Sequence, residues 1–278
     1  MISVLALGSV DYQTGLRLQQ KLVQLRKDGR VGDVLLLLEH TPVITLGRNA
    51  KAANIIASPE LLTKRGVEVF ESDRGGDVTF HGPGQLVGYP IFDLRGFTST
   101  DGKRKTLGAV EFVRRLEEVL IRTCADSAIS TKRICGLTGV WTNPEANNTP
   151  VETAALGVQR NSDNPAEAKI AALGIHISRG VTSHGFALNV NIDLDYFSLI
   201  VPCGITSKPV TSMAKELDDQ VSLQEVAHSI SRNFGVVFQS QMLWLETLDS
   251  LLGHPVGVPM KPPSELQKLH NKEDAFWA

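Results

Sequence analysis

Two stretches of the chain combine residue types that chemistry can use. The first is "SLIVPCGITSKPVTS", where Pro202 and Gly204 mark a turn that presents the Cys203 thiol at the end of an apolar run. A free thiol titrates near pH ~8.5 and needs a neighbouring cation or base to be thiolate at neutral pH. No residue within a few positions of Cys203 supplies one, so the fold must bring it in, and His81, His184 and Lys169 are the candidates. The plainer alternatives stay open on these residues alone. Cys203 also reads as a small buried hydrophobe, and Lys169 as a charged residue opening the strand "KIAALGIHI".

The second stretch is "RGGDVTFHGPGQ", Arg74 to Gln85. Gly75, Gly76, Gly82 and Gly84 let backbone amides approach a ligand where a Cβ would block it, and Arg74, His81 and Gln85 offer polar contacts. The alternative is a tight hairpin with a core-facing histidine. Other chemistries find no support: GxxxxGK[ST], HExxH and GxSxG are absent from the sequence. "GPGQLVG" is a poor dinucleotide fingerprint, because Pro83 lies inside it and a strand pattern follows where a helix N-terminus should receive the phosphate.

The elements that must position these residues follow from periodicity. "DYQTGLRLQQKLVQLRKDG" has the apolar spacing of a helix ended by Gly29, and "DVLLLLEH" and "PVITLG" read as buried strands. A short helix near "SPELLTKRG", a strand at "VEVFES" and a strand–loop–strand unit around "RGGDVTFHGPGQ" and "LVGYPIFDL" come next. Leu107, Val110, Val113, Leu116 and Leu120 predict a core-facing amphipathic helix over 107–125. "KIAALGIHISRG" and "VTSHGFALNVNI" predict two strands meeting at Gly180, and "SLQEVAHSISRNFG" a helix capped by Ser222 and ended by Gly235. Strands adjoin too often for regular βαβ alternation, so the expected class is α+β with a mixed sheet flanked by helices. One catalytic domain over 1–250 is expected, with an Asn- and Pro-rich surface insertion at 142–168 and a loosely held extension over 251–278.

Composition sets the outer limits. Hydrophobic residues at 42% and charged residues at 21% are those of a globular chain that buries a sizeable core. Lysine plus arginine (28) nearly balance aspartate plus glutamate (30), which leaves no basic footprint for a nucleic-acid partner. No apolar run reaches the ~18 residues of a membrane span. Three cysteines without CxxC spacing argue against a disulfide framework or a four-cysteine zinc site and for a reducing compartment. The N-terminus has neither a secretory signal nor the Arg/Ser bias of a transit peptide.

Together, "RGGDVTFHGPGQLVGYPIFDLR", "GVW" at Gly139 to Trp141, "KIAALGIHISRGVTSHGFALNVN" and "VPCGITSKPVTS" resemble the lipoyl(octanoyl) transferase family, in order and from Leu7 to about Phe238. The resemblance implies a biotin/lipoate protein ligase-like catalytic domain. It implies transfer of an octanoyl group from octanoyl-acyl carrier protein to a lysine on lipoyl domains of 2-oxoacid dehydrogenase complexes or on glycine-cleavage H protein, without cofactor or metal. By that resemblance Cys203 is the acyl-thioester nucleophile and Lys169 the partner that favours its thiolate. Substrate contacts are implied for Arg74, Gly75, Gly76, Asp77, Val78, Thr79, Phe80 and His81, for Ala172, Leu173 and Gly174, and for Gly185, Phe186 and Ala187. An acyl tunnel is implied as well. Phe186 stands where the family more often has leucine. The added segments point to a eukaryotic, mitochondrial member, the alternative being cytoplasmic. Competing functions are an ATP-dependent lipoate or biotin ligase, a cysteine acyl-thioester hydrolase, and a non-catalytic carrier-binding module.

Overall fold

The computed structural model describes residues 1–99, 106–144, 167–204 and 208–252, with Cys203 described in its backbone alone. In chain order the elements are β1 (Ile2–Val10), α1 (Tyr12–Lys27), β2 (Asp33–His40), β3 (Val43–Leu46), α2 (Pro59–Lys64), β4 (Glu68–Glu71), β5 (Val78–His81), β6 (Gln85–Ile91) and α3 (Ala109–Asp126). Then come β7 (Thr131–Ile134), β8 (Leu137–Thr142), β9 (Lys169–Ser178), β10 (Val181–Asn189), α4 (Met213–Leu217), α5 (Leu223–Phe238), β11 (Met242–Trp244) and α6 (Leu248–Leu252).

The described residues form an eight-stranded sheet in the order β11-β1-β2-β6-β10-β9-β8-β7 and a three-stranded sheet in the order β4-β3-β5. In the large sheet β1 runs parallel to β11 and β2 while the pairs from β2 to β7 are antiparallel, so the expected mixed sheet of an α+β fold is present. Both faces of this sheet are covered. Leu35 and Leu37 of β2 join α3 and α5 in one core cluster, and Val34, Leu36 and Leu38 join Leu18, Leu22 and Leu25 of α1 in the other. A strand buried on both faces reads as a continuous apolar run, as "VLLLL" does. A third cluster lies under the small sheet and includes Ile44, Val78 and Phe80.

Two helix expectations shift. Leu107 is buried but precedes α3, which begins after the Gly108 N-cap, and Val110 is 76% exposed. Leu116 and Leu120 are buried as expected, and Phe112, Val119 and Cys124 complete the buried stripe. Gly235 does not end α5. The helix runs to Phe238, whose ring packs on Phe234 and Phe112, and Gln239 in the left-handed region caps it. Ser222 caps the other end as expected, accepting from the Glu225 amide at 3.3 Å.

Most of the expected insertion, 145–166, and most of the expected extension, 253–278, lie outside the described residues. The two ends of the insertion are tied together: the Thr142 amide donates to Ala168 O and the Ala168 amide to Thr142 Oγ1, each at 2.9 Å. The chain at Leu251 is not loose, because α6 buries Leu248 and Leu251 in the cluster under α1. Among the described residues no helix is long and apolar enough to cross a membrane.

Candidate active site

β9 and β10 form a hairpin whose two turn residues, Arg179 (φ 52°) and Gly180 (φ 84°), are both left-handed, as the tight primed hairpin turn requires. Its register places two segments of the hairpin directly opposite one another: Ala172 faces Ala187, Leu173 faces Phe186, and Gly174 faces Gly185. Side chains alternate across a sheet, so Ala172, Gly174, Gly185 and Ala187 share one face, with Val87 of β6 beside Ala187. The result is a shallow floor of small residues across three central strands. The glycines are required by packing: a Cβ on Gly174 would lie 2.6 Å from Gly75 O, and one on Gly185 would lie 2.1 Å from Gly88 O. Gly88 in turn leaves the space that the Phe186 ring occupies.

The glycine-rich loop roofs this floor. The Gly75 amide donates to Ile175 O on β9 at 3.0 Å, and Gly76 takes φ 91°. Arg74 is buried, and its guanidinium donates to the carbonyls of Gly75, Asp77 and Thr45 and to the Thr45 hydroxyl at 2.6–3.1 Å. These bonds hold the loop in shape. Arg74, Gly76, Asp77, Thr79, His81, Ala172, Leu173, Gly174, Gly185, Phe186 and Ala187 all line the resulting groove. Gly75 docks the loop from outside the lining. Val78 and Phe80 alternate away from the groove into the core under the small sheet, where Phe80 stacks on Tyr196 with ring centroids 4.7 Å apart.

One end of the groove is aromatic and was not found from the sequence. Tyr12, Tyr89 and His184 line it. His40 Nδ1 donates to Val10 O at 2.7 Å, which leaves Nε2 to accept from the Tyr89 hydroxyl at 2.6 Å. Tyr12 donates to Ser72 Oγ at 3.0 Å and lies over His81. Burial pulls His40 down to about pH 4 and His81 to about pH 3, so both imidazoles are neutral at physiological pH. His184 is also drawn down by burial, with Asp73 opposing.

At the other end the chain returns on itself. The Lys169 amide donates to Pro209 O at 2.8 Å and the Thr211 amide to Lys169 O at 2.9 Å, so 208–211 pairs with the start of β9 after passing through the turn Pro202–Gly204. A small cavity here is lined by Lys169 and Pro202 together with Thr79, Ala172, Gln85 and Asn189. Thr79 and Ala172 also line the groove, so the two spaces adjoin. A buried relay stiffens the junction: His81 Nδ1 donates to Gln85 Oε1 (2.7 Å), Gln85 Nε2 to Asn189 Oδ1 (2.9 Å) and Asn189 Nδ2 to Thr211 O (2.8 Å). "GVW" is explained by Lys169. Its Nζ lies 4.7 Å from the Trp141 ring centroid, and a Cβ on Gly139 would come within 3.2 Å of its Cε.

Asp77 is the anchor of the cysteine turn. Its Oδ2 accepts from Asn54 Nδ2 at 2.6 Å and lies against Gly204, and Asn54 O accepts from the Val201 amide at 2.7 Å. Of the three candidate activators, Lys169 alone lines the cavity that Pro202 lines. His81 is held by Gln85, and His184 by Asp73 at the far end. Cys124 is a core thiol pushed up to about pH 12 by burial, and Cys135 is exposed.

Comparison with known proteins agrees with this architecture. Residues 11–235 match the lipoyl protein ligase A/B catalytic domain. An octanoyltransferase of Koribacter versatilis is 57% identical over 273 residues, 98% of each chain, and one of Acidobacterium capsulatum is 54% identical over 254 residues, 91% of this chain and 96% of its own. Among solved structures, a bipartite lipoate protein ligase from Thermoplasma acidophilum superposes with a TM-score of 0.62 at 17% identity, covering 98% of this chain and 91% of its own. A lipoate-protein ligase A bound with ATP gives 0.62 at 15% identity, covering 98% and 94%. The added segments are no eukaryotic mark, since a bacterial relative aligns over nearly the whole length. The fold is that of the lipoate protein ligases, and by sequence the chain belongs to the octanoyltransferases of the lipoyl protein ligase A/B family.

Proposed function

We propose that this protein is an acyltransferase that moves an octanoyl group from octanoyl-acyl carrier protein, through a thioester on Cys203, to the acceptor lysine of a lipoyl domain. The observation that supports it most is that Lys169 is, among the described residues, the one charged side chain lining the cavity that the cysteine turn borders, next to an apolar-floored groove. An ammonium at Lys169 favours the Cys203 thiolate. The thiolate sulfur attacks the octanoyl carbonyl, and the carrier's C–S bond breaks. Its phosphopantetheine thiolate leaves and takes up a proton. In the second half-reaction the deprotonated amine of the acceptor lysine attacks the Cys203 thioester, an amide C–N bond forms, and the C–S bond to Cys203 breaks. The proton lost by the amine returns to the departing sulfur, with Lys169 as the relay. One thioester is exchanged for another, then for a more stable amide, so the scheme is ping-pong. Burial of the acyl chain on the groove floor contributes roughly 0.8 kcal/mol per methylene before entropy losses.

The test is intact-protein mass spectrometry after mixing the protein with octanoyl-acyl carrier protein, beside Cys203→Ala. The expected result is a single octanoyl adduct, absent from the variant and discharged onto a lipoyl domain as octanoyl-lysine. Discharge to free octanoate would make the protein a hydrolase. Turnover only with ATP and free acid would make it a ligase.

A further inference from the structure

His184 occupies an unusual position in this groove. Among the described residues it is the one shared by the groove and a second cleft between α1 and the β9–β10 hairpin, whose lining mixes Leu16 and Val23 with Gln24, Lys27, Asp73 and His176. Its backbone is left-handed, φ 56°, which a non-glycine residue adopts only when its surroundings hold it there. Two bonds do so. The His184 amide, turned out of the ladder with β6, donates to Gln19 Oε1 of α1 at 2.8 Å, and its Nε2 donates to Asp73 Oδ1 at 2.7 Å. The imidazole therefore stands as a wall, 3% exposed, with the groove on one side and the second cleft on the other.

We infer that His184, bolted by Asp73, is the end stop that sets the length of acyl chain the groove accepts. This rests on the transferase reading above and names a specificity determinant for that same site. The dimensions agree. The groove meets the Lys169 cavity at Ala172, and His184 faces Ile175, three residues on. Three residues of strand cover about 10 Å, and the seven C–C bonds of an extended octanoyl chain cover about 9 Å. A longer chain must displace this imidazole and break its bond to Asp73 before its terminal methylenes reach the second cleft, where Lys27 and Asp73 would lose water. Chain length is thus selected by one buried, tethered side chain that a longer tail has to move. Tyr89 and Tyr12 close the groove beside it.

The experiment mixes the protein with an equimolar set of octanoyl-, decanoyl- and dodecanoyl-acyl carrier proteins and reads the acyl-enzyme adducts by intact mass. In His184→Gly, which suits the left-handed backbone and removes the ring, the dodecanoyl-to-octanoyl adduct ratio is expected to rise at least roughly tenfold over the unmodified protein. His184→Asn, which keeps both a left-handed preference and a hydrogen bond toward Asp73, is expected to retain the octanoyl preference. Asp73→Ala, at a side chain 57% exposed, is expected to move the ratio in the same direction and carries the test if His184→Gly does not fold. An unchanged ratio in the folded variants overturns the end stop while leaving the transferase reading intact. No adduct of any length on the unmodified protein overturns the transferase reading itself.

Discussion

The two ends of the groove are built by opposite means. The cysteine end is held by backbone: the 208–211 segment adds onto the start of β9, the Val201 amide bonds Asn54 O, and Lys169 and Lys208 both lie over Trp141. The aromatic end is held by side chains. Tyr89, His40, Tyr12 and His184 are each fixed by a hydrogen bond of 2.6–3.0 Å, and burial keeps the His40 imidazole neutral. Charged side chains stand at both ends, Lys169 and Lys208 beside Trp141 at one and Asp73 on His184 at the other, and Arg74 and Asp77 line the groove as well. What distinguishes the ends is how they are fixed: main-chain pairing at one, buried side-chain hydrogen bonds around a desolvated, neutral imidazole at the other.

The largest effect that would sharpen this contrast is at Lys169. Lys169→Ala is expected to slow acyl-enzyme formation roughly 100- to 1,000-fold and to raise the pH at which Cys203 is alkylated by iodoacetamide. An unchanged alkylation profile would remove Lys169 from the activating role. Next comes the shared floor. Gly174→Val places a Cβ 2.6 Å from Gly75 O and is expected to lower stability by about 3 kcal/mol, measured by denaturant unfolding. An unaffected midpoint would mean that the loop is not seated on β9 as described. The smallest effect belongs to the aromatic end and appears in pH dependence. His40 titrates near 6.5 when exposed and at about 4 in the fold. Between those values the unfolded chain binds more protons than the folded one, so the histidine's contribution to stability is complete above about pH 6.5 and is lost as pH falls toward 4. His40→Gln is expected to flatten that fall in melting temperature. An equally steep fall would mean the ring is not held neutral.

The sequence makes the parts of this arrangement legible where a single local rule decides. The β9 and β10 strands, their Gly180 turn and the Ser222 cap follow from period and turn chemistry, and "RGGDVTFHGPGQ" marks the roof by its glycines. What escapes is what depends on register and on packing from afar. In "VTFH" Thr79 and His81 alternate with Val78 and Phe80, but all four are buried, and the sequence does not say that the polar pair lines a groove. Tyr89 is hidden inside an apolar run, and His40 closes one; their pairing is created by the β2–β6 ladder and has no local signal. His184 is visible as a titratable residue but not as a wall, because its φ and its Gln19 contact arise only when α1 packs on the hairpin. The choice among Lys169, His81 and His184 is likewise spatial. The pairing of 208–211 with β9 makes it, and charge in the sequence does not.

The hairpin that forms the groove floor has a kinetic consequence. Ala172 to Gly174 and Gly185 to Ala187 belong to one hairpin with a two-residue turn, so their pairings close within it, whereas Val87 of β6 joins the floor from far along the chain. Such a unit closes with little loop entropy, and hairpins form in about 1–10 μs. The roof and the cysteine turn depend on contacts across a far longer stretch of chain, such as Gly75 to Ile175 and Asn54 to Val201. The β9–β10 part of the floor can therefore take its register before the groups that close over it arrive.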